Sequence, residues 1–256
     1  MTDEKPKTRS RSITEQQIKI LWGIGRICAF PGCGEQLVHE RTDADLEAVV
    51  GEMAHIIGVN GPRHDPTLSD QELNLATNLV LLCPTHHKLV DAQESTYTVE
   101  ELRQWKSEQE RSIRQRFDSE VKSVDFQELE RVTRSLLASP GPSIADISPP
   151  LRPHEKLARN ELTAEVGDML NIGYLRFDDV KEFVSRTETI EPGFGERLAA
   201  GFREQYRKMR EDALTGDAVF YALADWSAQG DESTRSKAAG VAVLVYLFTT
   251  CDIFET

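Results

Sequence analysis

The stretch LLCPTHHKLVD, residues 81–91, places a cysteine, two adjacent histidines and an aspartate directly behind a leucine- and valine-rich run. The chain has only six histidines and four cysteines, yet Cys83, His86 and His87 fall within five positions. A strand end buried in a core has no use for such groups, whereas a metal ion does. Upstream, CAFPGC supplies Cys28 and Cys33 at C-x4-C spacing, with Pro31 and Gly32 where a metal-binding knuckle has to turn sharply. With Cys83 and His86 at C-x2-H, these make four ligands in two pairs, the number a tetrahedral structural Zn2+ requires. Thiolate and imidazole suit Zn2+ far better than Mg2+, so this set reads as a staple between distant parts of the chain rather than a reaction centre. Cys251 stands alone near the C-terminus and is expected in a core.

The composition, 39% apolar and 29% charged over 256 residues, is that of a soluble globular protein. No apolar stretch reaches transmembrane length, and MTDEKPKTRSRS lacks the apolar centre of a signal peptide, so a cytoplasmic location is expected. In that reducing compartment paired cysteines hold metal more often than they form disulfides. A net charge of −13 argues against a general nucleic-acid binder. The deficit is uneven, however: residues 1–116 carry 14 Lys and Arg against 18 Asp and Glu, the remainder 16 against 25. A local basic face is therefore open to the N-terminal part, and a solvated acidic surface suits the rest.

Residues 1–12 read as a polar, disordered tail whose Lys5, Lys7, Arg9 and Arg11 can touch phosphates or simply solubilise. A short helix over 13–21, capped by Ser12 or Thr14, precedes a strand, tight loop and strand across WGIGRICAFPGCGEQLV. AVVGEMAHIIG is a second apolar run, NGPRHDPTLSDQELN a polar loop in which His64 is an ordinary loop residue, and LATNLVLLC a buried strand. Thr98 and Glu101 form a capping box that starts a helix over 98–117, onto which Trp105 packs the domain, and FQELERVTRSLLA continues helical. SPGPSIADISPPLRP (139–153) holds five of the eleven prolines and marks a linker. Beyond it 154–256 reads as helices, AAGVAVLVYLF (238–248) being a buried one too short to span a bilayer. The expected division is thus a tail (1–12), a first domain (13–117), a helical segment with the linker (118–153) and a helical interaction domain (154–256).

His55, Asn78 and His87 remain, with Asp91 and Glu52 as carboxylates nearby. A single metal beside an uncoordinated imidazole can hydrolyse a phosphodiester, the imidazole taking a proton from water while the metal offsets charge on the phosphate and leaving oxygen. In order and spacing, CAFPGC, EMAHI and NLVLLCPTHHKLVD make residues 22–105 resemble the HNH endonucleases of the ββα-metal fold. The resemblance implies an α+β fold class: a zinc-stapled ββα-metal nuclease domain followed by a mostly helical C-terminal domain. It also implies metal-dependent cleavage of double-stranded DNA, with His55 as general base, Asn78 holding the active-site loop and supporting base or metal, and His87 binding the catalytic Mg2+ or Mn2+. Cys28, Cys33, Cys83 and His86 match the family's zinc positions, His86 standing where a cysteine is commoner. Many members carry an aspartate before the base histidine, where this chain has Ala54. A carboxylate must come from elsewhere: Asp91, one turn after His87, is favoured, with Glu52 as the other candidate. Lys88 and Arg63 are the nearest basic residues for phosphate contacts at the rim of the site.

Residues 154–256 contain no phosphate-cradling loop. PHEKLARNELTAEV and VLVYLFTTCDIFE, closing on Cys251, Asp252 and Ile253, resemble the C-terminal domain of effectors of ABC-three-component systems, which include Lamassu antiphage defence. That implies an effector subunit with an SMC-like ATPase and an accessory subunit as partners. HNH sites cut one strand each, so a double-strand break would need two copies side by side, as in a homo-oligomer. The competing readings are a stand-alone type IV-like restriction enzyme with a C-terminal sensing domain, a helical dimerisation domain, and a non-catalytic zinc-containing DNA-binding module.

Overall fold

A computed structural model describes residues 12–39, 44–46, 48–137, 151–228 and 233–254. The expected tail, Ser12 apart, and the proline-rich linker up to position 150 lie outside them. The fold is mostly helical, with its strands in two two-stranded sheets. The chain divides into two compact units, Met1–Ile113 and Arg114–Thr256. No helix among the described residues is long and apolar enough to cross a membrane.

In the first unit, helix α1 (Glu15–Ile24) is N-capped by Thr14, whose hydroxyl accepts from the Gln17 N–H at 3.4 Å. Trp22 was expected in a strand, but the helix runs three residues beyond Leu21 and packs the partly buried ring against the core. The strands of the expected knuckle shrink to one bridged pair, Ile27 with Gln36. Gly32 and Gly34, both left-handed (φ 74° and 66°), turn the loop between them. Strand β1 (Val38–His39) pairs antiparallel with β2 (Ala48–Val49). Strand β3 (Glu52–His55) pairs antiparallel with β4 (Leu79–Leu82), His55 opposite Leu79 and Glu52 opposite Leu82.

Between β3 and β4 the expected polar loop contains a helix, α2 (Asp70–Leu73). It is set by a capping box in which the Ser69 hydroxyl accepts from the Glu72 N–H and the Glu72 carboxylate accepts from the Ser69 N–H at 2.8 Å. A 3-10 turn (Ala76–Asn78) leads into β4, whose four side chains are all buried. Helix α3 (Pro84–Ala92) follows immediately, and α4 (Val99–Ser123) starts at the expected Thr98–Glu101 box.

The second unit takes the remainder of α4 and α5 (Phe126–Leu137), α6 (Pro153–Arg159), α7 (Ala164–Tyr174), α8 (Phe177–Ile190), α9 (Phe194–Glu211), α10 (Asp217–Ser227) and α11 (Thr234–Thr250). Helix α11 is apolar on every side and accordingly central, packing against α5, α7, α8 and α10. Helix α5, grouped with the linker on sequence, belongs to this core: Leu129, Val132 and Leu136 are buried and face α11, α9 and α8. Apolar spacing on its inner face was the available sign, and the prolines after it masked the kinship.

Candidate functional site

The knuckle reaches the end of β4 through two hydrogen bonds: the Ala29 N–H donates to Leu81 O at 2.9 Å, and the Cys83 N–H to Cys28 Sγ at 3.3 Å. Cys83 is the N-cap of α3, so His86 lies in that helix's first turn and faces back over the knuckle. The ligand atoms of Cys28, Cys33, Cys83 and His86 all lie within 4.8 Å of one another, His86 Nδ1 being 3.1 Å from Cys83 Sγ and 3.7 Å from Cys28 Sγ. A tetrahedral Zn2+ with its usual bond lengths holds S and N ligands about 3.5–3.8 Å apart, so this set fits such an ion with little adjustment. Burial, with Cys83 close by, pushes the Cys28 thiol up to about 12; a metal bound there would take the thiolate and release the proton. An aromatic wedge backs the cluster. Phe30 stacks on His86 (centroids 3.8 Å apart, planes 9° apart) and meets Trp105 edge-on at 5.0 Å, with Tyr97 against both. Trp105 is therefore a packing residue, as its position on the closing helix suggested.

His87, one residue and about 100° further round α3, points away from the cysteines. Its Nδ1 is 2.5 Å from Glu52 Oε2 on β3, and its Nε2 is 3.4 Å from Asp91 Oδ2 one turn along α3. Both candidate carboxylates thus flank the same ring at opposite edges. The second oxygen of Asp91 accepts from Arg63 Nη2 at 3.2 Å. Arg63 is not at the rim. It is 6% exposed, also donates to Tyr97 O at 3.4 Å, and holds Asp91 from below. Lys88 is exposed on α3. Ala54 is fully buried, so an aspartate at that position would sit in the core.

His55 closes β3, three residues after Glu52 on the same strand. Its Nε2 is 3.0 Å from Asn74 Oδ1, a residue that sequence reasoning passed over. The Ser69–Glu72 capping box ending at Asn74 was legible and would have marked it. Asn78 touches neither histidine: its Oδ1 accepts from the Ile57 N–H at 2.9 Å, and its Nδ2 donates to Ile57 O and Leu73 O at 3.1 and 2.9 Å. His64 closes its own loop, with Nδ1 3.0 Å from Gly58 O.

In the second unit the two motifs quoted from its ends meet. Lys156, fully buried on α6, donates from Nζ to Phe248 O at 2.7 Å and to Cys251 O, the carbonyls at the end of α11. Asn160 Nδ2 donates to Phe254 O at 2.7 Å, and Tyr206 Oη donates to Asn160 Oδ1 at 2.9 Å. Arg203 pairs with Asp252 at 2.9 Å, while Ile253 and Phe254 are buried. The closing Cys-Asp-Ile segment is thus clasped from α6 and α9.

Neither the curated proteins nor the solved structures yield a match to this chain. Among protein families, residues 127–255 match C-terminal domain 10 of the ABC-three component (ABC-3C) systems, a span that takes in α5 and the clasp. With half of its length covered by that domain, the chain belongs to the ABC-three component C-terminal domain 10 family.

Proposed function

We propose that the chain is a metal-dependent HNH-type DNA endonuclease, the effector of an ABC-three-component antiphage system whose ATPase is a separate SMC-like subunit, with an accessory subunit. The observation that carries the nuclease reading is the Glu52–His87–Asp91 set on β3 and α3, beside four further ligands spaced for structural zinc. A divalent ion held by His87 Nε2 and Asp91 Oδ2 would offset charge on a scissile phosphate and its leaving oxygen. The 3.4 Å between those two atoms suits ligands of one ion, and oxygen with imidazole suits Mg2+ or Mn2+. Glu52 at Nδ1 orients the ring and Arg63 fixes the Asp91 carboxylate. His55 accepts the proton of the attacking water as its oxygen bonds to phosphorus; the P–O bond to the leaving oxygen breaks, and solvent protonates that oxygen.

The family assignment supports the partnership, because its domain is one component of a three-part system. It also speaks against a stand-alone enzyme with a sensing domain. Supercoiled plasmid, incubated with purified protein and Mg2+ or Mn2+, tests the reading. Wild type should convert it to nicked or linear form, EDTA should stop this, and His55→Ala should slow it by about 10^2–10^4-fold with zinc content unchanged. A wild type that fails to cut both alone and with its co-expressed partner subunits would leave the non-catalytic zinc module.

A further inference from the structure

We propose that Asn74, rather than Asn78, is the residue that orients His55 for proton transfer, an assignment that rests on the nuclease reading. Asn74 is 7% exposed and fixed from several sides. Its backbone N–H donates to Asp70 O and Gln71 O at the end of α2, both at 3.2 Å, and its Nδ2 donates to Ser12 O at 3.4 Å. With the amide nitrogen directed at Ser12, the oxygen faces the imidazole, 3.0 Å from His55 Nε2. A carbonyl oxygen only accepts, so the proton sits on Nε2 and the basic lone pair on Nδ1. The neutral ring is thereby held as a base with one defined basic nitrogen, and the imidazolium formed after proton uptake keeps the same bond. This is the arrangement of a base with an orienting third group.

Asn78 acts one step further back. Its side-chain amide bonds to backbone: to Ile57, two residues after His55, and to Leu73, one residue before Asn74. It therefore clamps together the two segments that carry the pair. The capping box at Ser69 in turn sets the helix whose end is Asn74. The role that the family resemblance gives to one asparagine is divided here between two.

The test uses the full chain, with its partner subunits if these are needed for cutting, and plasmid as substrate. Asn74→Ala should lower kcat about 10–100-fold at unchanged plasmid affinity and zinc content, the usual cost of losing an orienting partner. Asn74→Asp, whose carboxylate accepts the same bond, should restore most of the rate and move the acidic limb of the pH–rate profile upward, because a carboxylate beside the ring favours the imidazolium. NMR titration of His55 should show the same upward move in Asn74→Asp and not in Asn78→Asp. The pair His55→Ala/Asn74→Ala should cut no more slowly than His55→Ala alone, since the two act as a unit. An Asn74→Ala rate equal to wild type, an Asn74→Asp as impaired as Asn74→Ala, or a further loss in the pair would each overturn the assignment. Failure of the nuclease reading appears differently, as a wild type that never cuts, and it removes the assignment with it.

Discussion

In the first unit the longest strands are four residues, Glu52–His55 and Leu79–Leu82, and two of its core side chains are the potential zinc ligands Cys28 and Cys83. In the second unit one helix, α11, buries eleven of its seventeen residues among four others. The first unit therefore adds a cluster of ligand atoms to a small apolar core, and the second rests on a larger apolar interior. The distinction follows from what each has to present. The proposed site, with His55, Asn74, His87 and two carboxylates, would need irregular backbone between β3 and β4, which apolar packing alone holds poorly. A family module with no such constellation among its described residues can be an ordinary bundle, with one buried lysine closing its end.

Substitutions should separate these two modes of cohesion. The largest effect is expected from Cys83→Ala, which removes one of the four potential zinc ligands. Structural zinc contributes about 10–16 kcal/mol of apparent binding energy in small domains, so the variant should lose its zinc and the folded first unit, while the second unit melts as in wild type. Metal analysis and circular dichroism on one sample would reveal either outcome. Next is Trp105→Ala, which opens the wedge behind His86; about 3–5 kcal/mol of first-unit stability should go, read as a shift of that unit's urea transition. Lys156→Met probes the other unit. Leaving Phe248 O and Cys251 O without that donor should cost about 2–3 kcal/mol, confined to the second unit's transition. A shift of both transitions by either variant would break the comparison.

Zinc uptake by stripped protein should strengthen as pH rises. The Cys28 thiol, at about 12, stays protonated throughout the neutral range, so its proton must leave on binding. That single proton gives about tenfold in affinity, or 1.4 kcal/mol, per pH unit, with any further thiol protons adding to it. Competition with a chromogenic chelator at several pH values would measure the slope, and a flat slope would mean that Cys28 is not a ligand. The smallest change is expected from Ser69→Ala, about 1 kcal/mol through loss of the α2 cap.

What the sequence disclosed divides along the same line. The Cys28, Cys33, Cys83 and His86 set was legible because spacing alone brings two pairs of soft ligands within reach, and α11 was legible because its residues are apolar on every face. The position of Arg63 was not, since nothing in RHDP says that the chain folds back until the guanidinium meets Asp91. Nor was the contact between Asn74 and His55, which spans nineteen residues. The capping box before Asn74 was in plain view within a stretch that composition marked as loop. Helix α5 was assigned to the wrong side of the boundary because proline density identifies a linker but not which helices it joins.

Calorimetry of the intact chain before and after zinc chelation would test the central contrast most directly. Two transitions are predicted for the metal-bound protein; chelation should abolish the one belonging to the first unit and leave the other at its original temperature. A chelated protein that retains both transitions, or loses both together, would contradict the account.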